Sequence, residues 1–290
     1  MDHLVSVADI ASQSEVVQLI SAALAEDVGA GDVTTLALVP PDRMTTAILL
    51  SREAAVVSGG RIAKAVFEAV DAALVVETVV ADGDLVAEGA TILRIQGSAA
   101  SILVAERTAL NFMQRLSGIA TLTRAFVDRT REHGTAILDT RKTTPGYRLL
   151  EKYAVQCGGG TNHRMGLFDR VLIKDNHRRL WGEQNRGGLD AAVNEARAKF
   201  PDIAVEIEVE SVSELTDVLR SNPDWVLLDN MSPEIMAECV ALCSGRCKTE
   251  ASGGITLGTV AAAAASGVDA ISLGCLTHSA RSVDLSLELA

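Results

Sequence analysis

Aromatic and basic residues are both scarce in this chain of 290 residues. Aromatic side chains make up 3% of it, and 26 Lys and Arg stand against 38 Asp and Glu, giving a formal net charge of -12. Nucleic-acid backbones attract basic surfaces, and single strands stack on aromatic side chains. The composition therefore argues against a nucleic acid as a partner.

Long apolar runs are also missing. The most apolar stretches, such as 47–50 and 260–265, are far shorter than the ~20 residues that a membrane-spanning helix needs. The first residues, MDHLVSVADIAS, lack the basic start and apolar core of a secretory signal. We expect no membrane partner and a cytoplasmic location.

The five cysteines include no CxxC pair. Cys239, Cys243 and Cys247 are spaced by four, which one continuous helix would place on one face. Gly245 is expected to end that helix before Cys247. Buried, reduced thiols are therefore favoured over a thiolate metal site.

Positive charge is concentrated in one segment. Between Arg141 and Arg179 the chain has nine Lys or Arg residues and three acidic residues, a net +6, so the remaining residues carry -18. His163 and His177 lie in the same segment. It is either a solvated face balanced by neighbouring acids or a pocket for a small polyanion, and composition leaves both interpretations open.

The N-terminal part has a mixed α/β pattern, with helical periodicity in some stretches and strand-like runs in others. Its predicted elements are helices at 15–27 and 61–70, strands at 44–57, 74–80 and 91–95, and a helical region at 101–131 that breaks near Gly118.

From residue 136 the pattern changes to short apolar runs, most of them followed by a helical stretch. Parallel strands that are covered on both faces have this character. The pattern predicts a small α/β barrel; a doubly wound sheet is the alternative, but no GxGxxG motif follows a first strand. The runs lie at 136–140, 170–175, 204–210, 225–230, 248–254 and 269–274, with 153–157 as a further candidate.

Chemistry in such a barrel collects at the carboxyl ends of the strands. The residues at the predicted ends combine cations, carboxylates and a glycine pair, a set that solvated strand ends alone do not readily explain. They are Asp139, Arg141, Lys142, Lys174, Asp175, Glu206, Glu208, Glu210, Asp229, Asn230, Glu250, Ser252, Gly253, Gly254 and Gly274.

The glycine pair predicts a phosphate site. Gly253 and Gly254 precede a helix predicted at 256–266. Glycines let the backbone approach a ligand, and a helix N-terminus offers free N–H groups to an anion. The loops after the last two strands of a barrel are a common place for phosphate.

Carboxylates at neighbouring strand ends predict a magnesium site. Glu208 and Asp229 offer the oxygen ligands that Mg²⁺ prefers. The prediction requires that Glu206, Glu208 and Glu210, which share one strand face, point inward. If they point outward, they form only a polar surface.

The segment 157–165, CGGGTNHRM, is a glycine-rich loop that carries cations. Its glycines would allow close approach to a flat ligand, with His163 and Arg164 donating to anionic groups. A flexible connection that binds no ligand is the alternative.

Several motifs together resemble the quinolinate phosphoribosyltransferase family, also called the carboxylating nicotinate-nucleotide pyrophosphorylases. They span nearly the whole chain and are LAEDVGAGDVTT, ERTALNFMQRLSGIAT, LDTRKTTPGYRLLEKYAVQCGGGTNHRMGLFD, VLIKDNH, VEIEVE, VLLDNM, EASGGI and GVDAISLG. The resemblance implies an N-terminal α/β sandwich domain, expected at 1–116 with 276–290 packed against it. It also implies an incomplete seven-stranded α/β barrel, expected at 117–275.

The resemblance further implies a homodimer in which each active site is completed by the partner's N-terminal domain, with assembly beyond the dimer left open. The implied reaction joins quinolinate to phosphoribosyl pyrophosphate with Mg²⁺. Its products are nicotinate mononucleotide, pyrophosphate and CO₂, on the de novo route to NAD.

The family's site residues match positions in this chain. By resemblance, the quinolinate carboxylates are surrounded by Arg141, His163, Arg164 and Lys174, with Arg107 from the other subunit. The residues matched to phosphoribosyl pyrophosphate are Lys142, Glu208, Asp229, Ser252, Gly253, Gly254, Gly274 and His278. Glu208 and Asp229 are also the implied Mg²⁺ carboxylates.

Two other functions compete with this one. The related family encoded with molybdate transport genes is the alternative enzyme, and the full set of quinolinate cations argues against it. A non-catalytic phosphosugar sensor is the alternative from another class, but it would not need Glu208 and Asp229. One segment departs from the family: residues 178–188 are longer and more polar than expected, and a surface loop is favoured over a flap above the site.

Overall fold

The computed structural model of the chain describes residues 7–184 and 187–289. Contacts within these residues divide the chain into two compact units. The first unit takes in the described parts of 1–124, 143–159 and 275–290, and the second takes in those of 125–142 and 160–274.

The described residues contain twelve strands. Their bounds are β1 (Met44–Ser51), β2 (Ala55–Val56), β3 (Val75–Thr78), β4 (Leu85–Val86), β5 (Thr91–Ser98), β6 (Ala136–Leu138), β7 (Val171–Ile173), β8 (Val205–Val209), β9 (Trp225–Asp229), β10 (Lys248–Ser252), β11 (Ala270–Ser272) and β12 (Leu285–Leu289).

The same residues contain eleven α-helices, and short 3₁₀ helices lie at Val7–Ser12, Arg131–His133 and Leu219–Ser221. The α-helices are α1 (Ser14–Val28), α2 (Val33–Leu38), α3 (Gly60–Val70), α4 (Ala99–Thr130), α5 (Arg148–Cys157), α6 (Asp175–Glu183), α7 (Leu189–Lys199), α8 (Val212–Val218), α9 (Pro233–Cys243), α10 (Val260–Ala265) and α11 (Cys275–His278). None of the described helices is both long and apolar enough to cross a membrane.

The first unit is built on a four-stranded antiparallel sheet in the order β12-β1-β5-β3. The last strand of the chain pairs with β1 from Ala47 opposite Leu289 to Ser51 opposite Leu285. From Leu93 to Gly97, residues of β5 alternate between buried and exposed, as expected for a sheet with one face on the core. The C-terminal segment is therefore part of the same sheet as the N-terminal strands.

The predicted break near Gly118 is wrong, because α4 continues from Ala99 to Thr130. Gly118 has a packing role instead. A Cβ atom built on it would lie 2.0 Å from the carbonyl oxygen of Arg281. Only a residue without a side chain lets that segment of backbone lie against the helix.

The suggested strand at 153–157 is also wrong, since these residues lie in helix α5. Leu150, Tyr153, Ala154 and Cys157 are all buried, and this i, i+3, i+4, i+7 spacing belongs to a helix. The hydroxyl of Tyr153 donates to Asp82, which lies in the first unit. Contacts therefore group 143–159 with the first unit, whereas we expected this segment within the barrel range 117–275.

The second unit is built on a six-stranded parallel sheet in the order β6-β11-β10-β9-β8-β7. Beyond β6, Thr161 makes a single parallel bridge to Leu138. The partial barrel is therefore confirmed, but the expected seventh strand is reduced to one bridging residue among those described. The six runs predicted from 136 onward all contain strands.

The segment 178–188 is not a simple loop. Residues 178–183 continue helix α6, and α7 begins at Leu189. Asn185 and Arg186 lie outside the described residues. Arg178 is held within the second unit, since its guanidinium donates to the carbonyl of Glu208 at 3.2 Å and pairs with Glu214.

The close packing at Gly118 can be tested by substitution. Gly118→Ala should lower the free energy of unfolding by about 1–3 kcal/mol, because the added methyl group must displace backbone. The matched control is Gly182→Ala in α6, where an added Cβ would meet nothing within 4 Å. That change should be neutral or stabilise by up to about 1 kcal/mol, as alanine favours helix. Equal effects in chemical denaturation would contradict the packing role.

Candidate active site

Parallel pairing brings the carboxyl ends of the strands in the second unit to one edge of the sheet. Ser252 at the end of β10 is in register with Asp229 at the end of β9. Glu208 on β8 is in register with Leu227 on β9. This edge therefore collects most of the polar residues that the sequence places at strand ends.

Two carboxylates of β8 point inward. All five residues of the strand are buried, including Glu206 at 0% and Glu208 at 5% exposure. Glu210 lies past the end of the strand and is exposed. The inward orientation on which the magnesium prediction depended is therefore correct for Glu206 and Glu208 and wrong for Glu210.

Each of these buried carboxylates is met by a cation. The Glu206 carboxylate accepts from the guanidinium of Arg170 at 3.1 Å. The Glu208 carboxylate pairs with the Lys174 ammonium at 2.5 Å. Burying an ionised carboxylate without a partner costs several kcal/mol, so these contacts are a condition of the fold.

His163 has a different position from the one expected. The side chain is buried, and its Nε2 lies 3.3 Å from Glu206 and 3.1 Å from Glu250. Its Nδ1 accepts the backbone N–H of Arg164 at 2.7 Å. Both ring nitrogens thus face protein atoms, so in this arrangement the ring supports Arg164 and leaves no nitrogen turned toward a substrate carboxylate.

The ring of His163 lies between the carboxylates of Glu206 and Glu250. Burial opposes a charged ring, but hydrogen bonds with the two carboxylates raise the pKa of His163 to about 9. Burial and the Glu206 charge raise the pKa of Glu250. The ligand atoms of the cluster lie within 4.8 Å of one another, close enough for a metal ion.

Two aspartates shape the glycine-rich loop. The fully buried carboxylate of Asp139 accepts the backbone N–H of His163 at 2.9 Å and the side-chain amide of Asn162 at 2.6 Å. The carboxylate of Asp169 accepts the N–H groups of Met165 at 2.6 Å and of Gly166 at 2.9 Å. The loop is therefore a built structure and not a flexible connection.

Arg141 and Arg164 lie close enough to influence each other. Burial and the charge of Arg141 lower the pKa of the Arg164 guanidinium. The buried Nε of Arg141 has no hydrogen-bond partner within the part of the chain that the structure describes. Two neighbouring guanidinium groups, one with an unused buried donor, form a site suited to carboxylate groups.

The pKa of Asp229 is shifted by the charges of other residues predicted to bind phosphoribosyl pyrophosphate. Burial and the Glu208 charge raise the pKa of Asp229, while Lys174 and Lys142 oppose this shift. The four side chains therefore lie within electrostatic reach of one another. Two carboxylates that repel in this way are suited to share a divalent cation.

The glycine pair adopts a backbone that other residues rarely take. Gly253 has φ +97°, and a Cβ on it would lie 2.2 Å from the side-chain oxygen of Asn230. The N–H of Asn230 donates to the carbonyl of Ser252 at 2.9 Å, which ties the loops after β9 and β10 together. Gly254, with φ +60°, is exposed, and Gly274 lies just past β11.

The helix predicted at 256–266 is shorter than expected. Helix α10 begins at Val260, and Thr256 and Thr259 form a turn before it. Its N-terminus is therefore several residues away from Gly253 and Gly254. Any phosphate at this loop would be bound by the loop itself and not by the start of a helix.

Two predicted site residues belong to the first unit. Arg107 is exposed on α4, and His278 is exposed at the end of α11, where it shares a hydrogen bond with Ser279. The second unit by itself holds all the others: Arg141, Lys142, His163, Arg164, Lys174, Glu208, Asp229, Ser252, Gly253, Gly254 and Gly274.

Sequence reasoning missed the residues that support these side chains. From the sequence, Arg170 and Arg178 are only members of the positive segment, yet each binds the strand that carries Glu208. Glu250 is a strand end to which the sequence assigns no role. The two-residue spacing of Glu206 and Glu208 was the available signal, because inward carboxylates require cations from neighbouring elements.

Comparisons with known proteins agree with these features. The C-terminal domain profile of quinolinate phosphoribosyl transferase matches residues 119–288, and the N-terminal domain profile matches 32–117. A tobacco quinolinate phosphoribosyltransferase [decarboxylating] is 42% identical over 93% of this chain and 81% of its own length. A probable nicotinate-nucleotide pyrophosphorylase [carboxylating] of Bacillus subtilis is 39% identical, over 91% and 90%.

A solved structure agrees as well. The nicotinate-nucleotide pyrophosphorylase of Francisella tularensis superposes with a TM-score of 0.89 at 39% identity, covering 95% of this chain and 96% of that one. The chain therefore belongs to the quinolinate phosphoribosyltransferase family.

Proposed function

We propose that this chain transfers the phosphoribosyl group of phosphoribosyl pyrophosphate to quinolinate with loss of CO₂. The products are nicotinate mononucleotide and pyrophosphate, in the biosynthesis of NAD. The observation that carries the proposal is the pairing of opposite charges at one strand edge. Arg141, Arg164 and Lys174 offer cations there, and Glu208 and Asp229 offer carboxylates.

The cations suit quinolinate, which carries two carboxylates on adjacent ring carbons. Arg141 and Arg164 would bind these groups, with the unused Nε of Arg141 as one donor. The His163 ring would hold the backbone of Arg164 in place, because its Nδ1 accepts the Arg164 N–H. Lys174 lies within electrostatic reach of Asp229, and it would serve either substrate.

The carboxylates suit Mg²⁺ and the donor sugar. Glu208 and Asp229 would hold the ion, because carboxylate oxygens are the ligands that Mg²⁺ prefers. When bound, the ion would neutralise charge on the departing pyrophosphate. The raised pKa of Asp229 beside Glu208 supports this role, because a shared cation would relieve the repulsion between them. Lys142 would face the phosphates, and Ser252, Gly253, Gly254 and Gly274 the 5′-phosphate.

The reaction asks little of an acid or a base. Pyrophosphate leaves C1′ of the ribose with developing positive charge, and the pyridine nitrogen attacks that carbon. The ring then becomes positive and stabilises the electron pair left when CO₂ departs from the neighbouring carbon, and that carbon takes up a proton from water to give the product. The protein contributes by positioning the two substrates and compensating their charges.

We also propose that the working form is a homodimer with shared sites. Arg107 lies exposed on α4, in the first unit, while the cations for quinolinate belong to the second. A subunit that donates Arg107 to its partner's site would explain an exposed arginine in this position. His278 would lie near the 5′-phosphate in the same assembly.

Release of CO₂ tests the function directly. Protein supplied with quinolinate labelled in its carboxyl groups, phosphoribosyl pyrophosphate and Mg²⁺ should release labelled CO₂, and EDTA should stop it. Glu208→Gln should lower the rate on the order of 100-fold, since it removes an ionised ligand. Glu210→Gln, which changes an exposed carboxylate two residues away, is the control. No CO₂ release by the wild type would contradict the function, and release that persists in EDTA would contradict only the metal.

Quinolinate binding tests the arginine pair. Arg141→Ala should raise the dissociation constant for quinolinate about 10- to 100-fold, the effect of losing hydrogen bonds to a charged group. Arg220→Ala removes the same charge from an exposed pair with Asp217 and should change nothing. Calorimetric titration measures both. An unchanged constant in Arg141→Ala would remove this residue from the carboxylate site.

Mixing two inactive variants tests the shared site. Arg107→Ala and Lys142→Ala subunits, allowed to exchange, should recover about a quarter of the wild-type activity, because each mixed dimer then has one intact site. Exchange is verified by mass spectrometry of differently tagged subunits. Confirmed exchange without recovery would show that Arg107 does not act in the partner's site.

A further inference from the structure

The amino-end edge of the sheet in the second unit carries a feature that the proposed reaction does not use. A cavity of about 660 Å³ opens there, lined by residues at the starts of β9 and β10 and at the end of α9. Cys243 and Cys247 both line it, together with Arg246. Phosphoribosyl transfer is assigned to the carboxyl ends of the same strands, so this cavity belongs to a different surface.

The chain turns sharply between the two cysteines. Cys243 is the last residue of α9, and the next two residues, Ser244 and Gly245, have φ +49° and +75°. The N–H of Arg246 then donates back to the carbonyl of Cys243 at 2.9 Å. This turn folds Cys247 back toward the helix end, and both thiols line the same cavity.

The guanidinium of Arg246 fixes this turn. Its Nη2 donates to the carbonyl of Leu242 at 2.7 Å, and its Nε donates to the carbonyl of Cys243 at 3.3 Å. The positive charge is therefore held beside the cysteine pair. Carbonyls at the end of a helix commonly receive such a cation, which also stabilises the helix.

The two thiols differ in ways that assign them different roles. Cys247 is partly exposed, whereas Cys243 is buried. The hydrogen bond from Cys243 lowers the pKa of Cys247 against the effect of burial, and Arg246 lowers it further. The same hydrogen bond and burial raise the pKa of Cys243. Cys247 is thus the nucleophile, and Cys243 keeps its proton until a second step.

We propose that Cys243 and Cys247 are a redox modification site that hydroperoxides convert to a disulfide. The Cys247 thiolate attacks the terminal peroxide oxygen, so that an S–O bond forms, the O–O bond breaks and a proton from water completes the alcohol or water that leaves. The sulfur of Cys243 then attacks the sulfenic acid on Cys247. The S–S bond forms, and the hydroxyl leaves as water with the Cys243 proton.

Over the two steps, the two thiols transfer two electrons to one hydroperoxide. A dithiol reductant reverses the change. Cys239 does not compete for Cys247, because its thiol donates to the sulfur of Met231 at 3.8 Å and it does not line the cavity. Cys243 and Cys247 lie at the two ends of one tight turn and line the same cavity, which places the partner thiol beside the oxidised one.

Peptide mapping of the full chain tests the proposal. Hydrogen peroxide should remove two of the five free thiols and lower the mass by about 2 Da, and dithiothreitol should reverse both changes. Trypsin cleaves after Arg246 and Lys248, so a non-reduced digest should contain the dipeptide 247–248 joined to the peptide 221–246. The Cys239→Ser variant, the matched control, should give the same joined peptide.

Variants separate the two steps. Cys247→Ser should lose no thiol pair, and Cys243→Ala should stop at a sulfenic acid on Cys247 that dimedone traps. Peptide mapping of the wild-type chain decides the proposal by itself, even if one of the variants fails to fold. The proposal is overturned if Cys247 proceeds to sulfinic acid without a cross-link, if the link forms through Cys239, or if it joins two chains.

Discussion

Burial of acidic side chains inside a parallel sheet is the constraint on which the site depends. Glu206, Glu208 and Glu250 lie on strands whose residues are covered on both faces, where water cannot stabilise their charge. Each must meet a cation or hold a proton. Arg170 and Lys174, which flank β7, supply the cations, and the Nε2 of His163 from the glycine-rich loop faces Glu206 and Glu250.

This constraint explains the uneven charge of the sequence. Positive residues are concentrated between Arg141 and Arg179, the part of the chain that supplies partners to the strand carboxylates and also contains Arg141, whose buried Nε has no partner in the described chain. Composition leaves a solvated face and an anion pocket open, because it does not distinguish Arg170, which is paired with Glu206, from Arg141, whose Nε has no partner in the described chain.

The sequence predicts secondary structure correctly where the spacing of apolar and charged residues matches the period of a strand or of a helix. Short apolar runs ending in polar residues locate all six parallel strands, and the two-residue spacing of β8 places Glu206 and Glu208 on one face. The prediction fails where the apolar residues of a segment fit both the strand and the helix pattern. Residues 153–157 resemble an apolar strand, but Leu150 extends the pattern to a helical one. The hydrogen bond from Tyr153 joins the helix to Asp82, in a turn 71 residues earlier in the chain.

Side-chain orientation is what the sequence could not provide at the site. His163 and Arg164 are adjacent, and the family motif treats both as ligands of one substrate. Asp139, at the end of a strand more than 20 residues earlier, decides between them, because it accepts the N–H of His163 and turns the ring toward Glu206 and Glu250. The backbone N–H of Arg164 donates to the ring nitrogen Nδ1, and the Arg164 guanidinium lies close enough to Arg141 to be affected by its charge. A motif specifies which residue types are present, but the buried acids specify which of them is left to bind a ligand.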